Sequence, residues 1–235
     1  MKAKSILQCA ALLTGLLFLN VPLFATVESD IVGYTEVTLK RGANLIALPF
    51  DDLTTDGQGI DVRELLQLTP TNGDTIQYWN GNGFDILTYR IRSGVGAWYL
   101  QGTALSDEQT VYIKNGQGFW YTSKAAESVT ARFAGRVALS GQVIEAPQGL
   151  SLIGPPMPTE YNLADIQFDG IGNGSTIQYW NYETLSFDIL TYRVRSGVGA
   201  WYSQGTALTA YTIPAAVGFW FNSKSGTTTI TFPSL

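Results

Sequence analysis

Phe84 to Leu105 reads FDILTYRIRSGVGAWYLQGTAL, and Phe187 to Leu208 reads FDILTYRVRSGVGAWYSQGTAL. Only Ile91/Val194 and Leu100/Ser203 differ across these 22 positions. A segment written twice at this fidelity predicts one structural unit used twice. Working outward, Thr75-Ile-Gln-Tyr-Trp-Asn80 recurs unchanged as Thr176 to Asn181, and Gly118-Phe-Trp-Tyr-Thr-Ser-Lys124 matches Gly218-Phe-Trp-Phe-Asn-Ser-Lys224. The start is looser: Gly42-Ala-Asn-Leu-Ile-Ala-Leu-Pro49 aligns with Gly149-Leu-Ser-Leu-Ile-Gly-Pro-Pro156. The end aligns through Val129 to Phe133 and Thr228 to Phe232. The unit is therefore about a hundred residues long. Its boundary falls near Ala134-Gly135-Arg136, giving a first copy over 26–135 and a second over 136–235.

Each copy reads as mostly strand. Val129, Ala131 and Phe133 alternate with Thr130 and Arg132, and Thr228, Ile230 and Phe232 repeat the pattern, as expected of a half-buried strand. Asn80-Gly81-Asn82-Gly83 predicts a hairpin turn between TIQYW and FDILTYR. Its counterpart, Asn181 to Ser186, is two residues longer, an insertion of the kind a loop tip tolerates. One short helix is expected per copy, over Asp61 to Leu66 and Asn162 to Ile166, with Asp61 and Asn162 as N-caps. The predicted fold is all-β: two tandem β-sandwich or barrel-like repeats, each with one short helix.

Composition narrows the chemistry. The 235 residues contain no histidine and one cysteine, Cys9, which removes histidine acid–base catalysis and the usual zinc sites. Lys2 and Lys4 precede an apolar run from Ile6 to Leu19, and Ala25 follows Val21-Pro-Leu-Phe, so residues 1–25 read as a secretory signal peptide. Gln8 precedes Cys9 where a lipoprotein motif has a small residue, which argues against a lipid anchor. Cleavage takes two lysines, no acid and the only cysteine, moving the net charge from −5 to −7 and leaving no disulfide. The acid excess argues against nucleic acid, and nothing after residue 25 approaches the ~20 apolar residues of a spanning helix.

The order GYTEVTL (33–39), GANLIALPF (42–50), TIQYW (75–79), FDILTY (84–89) and GQGFWYTS (116–123) resembles a poorly characterised group of secreted bacterial proteins. Their modules read "VGYxxVxL…GxNLIxxPF…GxGFW". The likeness covers nearly all of the first copy after its leader, whereas the second begins Ser140-Gly141-Gln142 in place of Val32-Gly33-Tyr34. It implies an exported β module in the periplasm, the medium or the outer surface of a bacterium, and carries over no catalytic residues.

All six tryptophans fall at repeat-equivalent positions: Trp79/Trp180, Trp98/Trp201 and Trp120/Trp220. Each has an aromatic neighbour, so strand alternation sends rings to both faces of three strands per copy. One face fills the copy's own core. The other is covered by loops, helix or sister copy, or forms an open platform for stacking sugars or another subunit. Arg90 and Arg92 share one strand face, as do Arg193 and Arg195, together half of the eight arginines after residue 25. Such a pair either grips a sulfate or carboxylate or salt-bridges to strand acids.

Asp85 and Asp188 are the only acids inside the near-identical block, and their equivalence makes the two unlike environments of a glycosidase pair awkward to build. The loop from Asp51 to Asp61 invites a calcium reading, yet from Asp52 as first ligand it places Thr54 and Arg63 where Asp or Asn and Glu are wanted. Gly94-Val-Gly96 lacks the third glycine and following helix of a nucleotide fingerprint. Neither metal nor cofactor is expected. The sequence therefore predicts a non-enzymatic exported protein, an envelope, matrix or adhesion component working by surface contact. A carbohydrate-binding protein with exposed Trp and Tyr platforms is the alternative, and a carboxylate glycoside hydrolase stands behind both. The candidate contact residues are Trp79, Trp98, Trp120, Arg90 and Arg92, with Trp180, Trp201, Trp220, Arg193 and Arg195. Expected partners are a glycan, a protein or a second copy of the chain.

Overall fold

The computed structural model describes residues 31–53 and 57–235; the signal peptide expected at 1–25, and Asp56 of the acidic loop, lie outside them. In the first copy the strands are β1 (Val32–Leu39), β2 (Gly42–Ala47), β3 (Ile60–Asp61), β4 (Thr75–Trp79) and β5 (Phe84–Arg92). They continue as β6 (Val95–Leu100), β7 (Thr103–Ala104), β8 (Tyr112–Ile113), β9 (Gly118–Ser123) and β10 (Val129–Arg136). The second copy begins β11 (Gln142–Ala146), β12 (Gly149–Ile153), β13 (Tyr161–Asn162), β14 (Gln167–Asp169), β15 (Thr176–Asn181) and β16 (Ser186–Arg195). It ends with β17 (Val198–Ser203), β18 (Thr206–Ala207), β19 (Thr212–Ile213), β20 (Phe219–Ser223) and β21 (Thr228–Phe232).

The fold is all-β, built on two six-stranded sheets whose neighbouring strands are antiparallel. Their orders are β2-β9-β4-β5-β6-β7 and β12-β20-β15-β16-β17-β18, the same strand for strand. Within each, β4-β5-β6-β7 and β15-β16-β17-β18 are joined by sequence-local hairpins, while β2 with β9, and β12 with β20, are brought together from opposite ends of the half. Asn80 Oδ1 accepts from the Asn82 and Gly83 amides at 3.0 and 2.9 Å, closing the β4–β5 turn. Ser93 and Gly94, both at positive φ (51° and 80°), make the β5–β6 turn, and glycine takes the second position at no steric cost.

A second layer lies across each sheet in a sandwich-like arrangement. In the first copy β1 pairs with β10, and β3 with β8. From this layer Leu39, Ala131, Phe133, Val62, Leu65 and Ile113 meet Ile46, Ile76, Leu87, Trp98, Phe119 and Tyr121 of the sheet. In the second, β11-β21-β14, β13-β19 and the turn between β13 and β14 supply Ala146, Ile230, Phe232, Tyr161, Leu163 and Ile166 against Ile153, Ile177, Leu190, Trp201, Phe219 and Phe221. The alternation read at 129–133 and 228–232 is the burial pattern of β10 and β21.

The short helices are smaller than expected. Residues 62–66 form hydrogen-bonded turns, and the second copy has a single 3-10 turn, Leu163–Asp165, with the Asn162 side chain accepting from the Ala164 amide. Strand pairing on either side stops both from lengthening. The Val62 amide donates to Val111 O at 2.9 Å, and Leu66 O accepts from the Arg132 amide at 3.0 Å. In the second copy the Leu163 amide is taken by Tyr211 O at 2.8 Å, and the chain passes directly into β14.

Candidate functional site

Alternation does send rings to both faces of the sheets. Phe119, Tyr121 and Trp98 point into the first core, while Trp79, Trp120 and Tyr99 lie on the opposite face. That outer face divides into two zones with different partners.

In the inner zone the two copies clasp each other. Trp79 meets Trp220 at 5.5 Å and 79°, and Trp120 meets Trp180 at 5.5 Å and 79°. Exchanging the copies turns one contact into the other, so the surface is self-complementary in the manner of a two-fold dimer. Leu45 and Leu152 complete the apolar cluster, with Phe84 beside Trp220 and Phe187 beside Trp120. Backbone bonds follow the same symmetry: the Ala47 amide donates to Ala216 O at 2.9 Å, and the Gly154 amide to Gly116 O at 3.0 Å. Close approach requires glycine here. A Cβ on Gly154 would run into Ala47 Cβ and sit 2.6 Å from Val217 O, and one on Gly218 would lie 2.6 Å from Ile46 O.

None of the six tryptophans is fully exposed, although Trp201 lines one cleft and Trp79 one groove. Trp98, Trp201 and Trp220 are buried, and Trp79, Trp120 and Trp180 are half-buried. Trp98 and Trp201 each pack edge-on against a tyrosine of their own sheet, Tyr89 and Tyr192. The other four hold the copies together. For Trp79, Trp120, Trp180 and Trp220 the opposite half of the chain supplies a large apolar partner at no translational cost.

The outer zone is open. On β5 and β6 the exposed Ile86, Arg90, Arg92 and Val95 flank the half-buried Thr88 and Tyr99; Ile189, Arg193, Arg195, Val198, Thr191 and Tyr202 repeat them. Salt bridges to strand acids were one expectation for these arginines, yet among the described residues ion pairs form at Arg63 and Arg132 and not at these four. Register gives the reason. Arg90 faces Ala97 and Arg92 faces Val95 across the ladder, while Asp85 points to the other face and accepts from the Asn80 side chain at 3.1 Å. The guanidinium of Arg92 instead lies 4.6 Å from the Tyr99 ring, and that of Arg195 4.6 Å from the Tyr202 ring. Thr191, Arg193 and Arg195 line a shallow groove of about 260 Å³ with Asn173. The charged groups named on these stripes are cationic, though Asp188 lines a pocket together with Arg193 and Tyr202, and each guanidinium has donor capacity to spare.

A third feature separates the copies. In the second, a cleft of about 320 Å³ opens between the sheet and the 3-10 segment, lined by Trp201, Tyr192, Phe168, Tyr211, Ala164 and Thr209 among others. Burial first, and Asp188 second, push the Tyr211 hydroxyl up, so it stays a neutral donor. In the first copy Arg63 stands at the Ala164 position and reaches across the corresponding mouth to Ser106 O at 3.3 Å, where the second copy has Thr209. It also bonds bidentately to both oxygens of Asp61 at 2.9 and 2.7 Å, and its guanidinium lies 3.8 Å from Asp107 Oδ1. Asp61 is thereby engaged, which weakens the calcium reading of its loop.

Asp85 and Asp188 sit on different sheets, each bonded to its own turn asparagine. Sequence reasoning missed Tyr182, which lies inside the loop-tip insertion. Its hydroxyl accepts from the Leu45 amide at 3.0 Å in the other copy, and Lys40 Nζ lies 5.4 Å from its ring. The only signal available was the insertion itself.

No helix among the described residues is long and apolar enough to cross a membrane. No protein-family model, curated protein or solved structure matches the chain.

Proposed function

We propose that this chain is an exported, non-enzymatic tandem β-module protein that acts by surface contact in a bacterial envelope or matrix, holding an acidic glycan on its two arginine–tyrosine stripes. The observation that carries the reading is that four arginines on the outer sheet faces have no carboxylate partner among the described residues, in a chain with an excess of acids. An anionic polymer would supply the missing acceptors, and each guanidinium pair would take a sulfate or carboxylate by forked hydrogen bonds. The clasp supports the reading because it packs the two halves that carry the stripes against each other, so a polymer that reaches both gains avidity without new contacts. The net negative charge elsewhere would confine an anionic polymer to the stripes. The leader at 1–25 and the resemblance to secreted modules support export.

The test is binding of the chain without its leader to immobilised dextran sulfate and polygalacturonate, with neutral dextran as control. Saturable binding to at least one acidic polymer is expected, weakened at least about tenfold by Arg90→Gln/Arg92→Gln or by Arg193→Gln/Arg195→Gln, and falling as salt shortens the Debye length. Absence of binding at low salt, or binding indifferent to both double substitutions, overturns the reading.

A carbohydrate-binding reading has one observation of its own, the second-copy cleft over Trp201 and Tyr192. A neutral sugar seated there would quench tryptophan fluorescence in the parent and not in Ala164→Arg.

A further inference from the structure

The clasp is symmetric in its rings and backbone but not in its margins. Exchanging the copies carries Lys40 onto Pro147, Leu45 onto Leu152, Trp180 onto Trp79, and Tyr182 onto Gly81. On one side Tyr182 is laid down: its ring lies beside Lys40 and its hydroxyl accepts from the Leu45 amide. On the other side the tyrosine's counterpart is Gly81, and a groove of about 560 Å³ stands there, lined by Trp79, Gly81, Pro147, Leu150 and Leu152.

We propose that this groove receives a tyrosine side chain from another polypeptide, in the place that Tyr182 occupies on the opposite side of the clasp.

Three features argue for that occupant. Leu45 lies opposite Trp120 in the β2–β9 ladder, and its amide points away from β9, towards Tyr182. Leu152 lies opposite Trp220 in the equivalent β12–β20 ladder, so its amide points away from β20 into the groove, aimed at a hydroxyl acceptor. The walls are apolar where the filled side carries a cation: Pro147 replaces Lys40, and Leu150, 44% exposed, replaces Ala43. An aromatic ring would cover both. Finally, the groove is continuous with the clasp through Trp79 and Leu152, both members of its apolar cluster, so a ring seated there extends an existing interface. The site is independent of the arginine stripes.

The test follows backbone and indole N–H resonances of the ¹⁵N-labelled chain without its leader during titration with N-acetyl-L-tyrosinamide. The Leu152 amide and the Trp79 indole N–H are expected to shift together and saturably. N-acetyl-L-phenylalaninamide, which lacks the accepting hydroxyl, is expected to need about ten times the concentration. Tyr182→Ala is expected to add the Leu45 amide to the responding set. Replacing Asn80–Gly83 by the sequence of Asn181–Ser186 supplies the tyrosine in cis, and is expected to shift Leu152 without ligand and abolish its response. Should the graft fail to fold, the titration of the parent and of Tyr182→Ala still decides. A Leu152 amide unmoved by the tyrosine derivative, or moved equally by the phenylalanine one, overturns the proposal.

Discussion

The first and second copies share strand order and most of their inward residues, yet three equivalent places have been built differently. Asp74 and Tyr121 stand in the first core where the second has Ser175 and Phe221. Arg63 crosses a mouth that Ala164 leaves open, and Gly81 stands where Tyr182 crosses the clasp. The first difference is a coupled one. Tyr121 donates to Asp74 Oδ2 at 2.5 Å, and the Lys124 amide donates to Asp74 Oδ1 at 2.6 Å. In the second copy the Lys224 amide donates to Ser175 Oγ at 3.1 Å, and the phenylalanine asks for nothing. The buried acid and the hydroxyl arrive or leave together: without Asp74 the Tyr121 hydroxyl loses its acceptor, and without Tyr121 the carboxylate keeps the Thr71 and Lys124 amides but loses its third donor. The two halves thus share what the ladder and the clasp need and differ in their local solutions.

The largest test breaks the shared part. Trp120→Ala and Trp220→Ala should each cost about 3–5 kcal/mol in chemical denaturation, and by similar amounts if the clasp is symmetric. A split of one unfolding transition into two would show that the clasp is what couples the halves. Unequal costs would place the weight of the clasp in one copy.

The next test sharpens the coupled difference. Tyr121→Phe removes a donor from the buried Asp74 carboxylate and should cost about 1–3 kcal/mol. Adding Asp74→Ser reproduces the second copy's pair and should recover most of that loss, measured as a double-mutant cycle. A loss that is purely additive would refute the coupling.

Alkaline stability should discriminate the copies by a smaller margin. Burial pushes the Tyr161 hydroxyl up to about 12, whereas its first-copy counterpart is Ile60. The unfolded chain releases that proton near 10 and the folded chain holds it, so the stabilisation is complete below pH 10 and is lost as pH rises towards 12. Tyr161→Phe should therefore flatten the fall of thermal stability across that window, and an unchanged slope would contradict the assignment.

The smallest effect is expected at the cleft. The Arg63–Asp61 pair is partly exposed, so Arg63→Ala should change stability by no more than about 1 kcal/mol. The readout is access: acrylamide should quench more fluorescence in Arg63→Ala and less in Ala164→Arg. If neither changes, Arg63 does not gate the first copy.

Much of the fold was legible because strand alternation is a local property. The two-residue period in β10 and β21, the Asn-Gly turn at 80–81 and the matched blocks all follow from backbone geometry within a few residues. The helices were overread: Asp61 and Asn162 do start turns, but whether a turn lengthens depends on which strands claim the flanking amides. The candidate site was legible by type and not by role. The sequence marked all ten residues, yet it could not say that four tryptophans bind their own sister copy while the arginines stay open. Tyr182 escaped because a tyrosine in a loop insertion has no pattern to betray it.

By itself the chain's order of residues determined the strands and the presence of large rings on both faces of each sheet, since these rest on neighbours along the chain, and it displayed the matched blocks directly. Only the tertiary structure decided what each outer face meets. Which surface covers Trp79 and which leaves Arg92 beside Tyr99 depends on how two folded halves dock, and that is set by shape complementarity between residues some hundred positions apart.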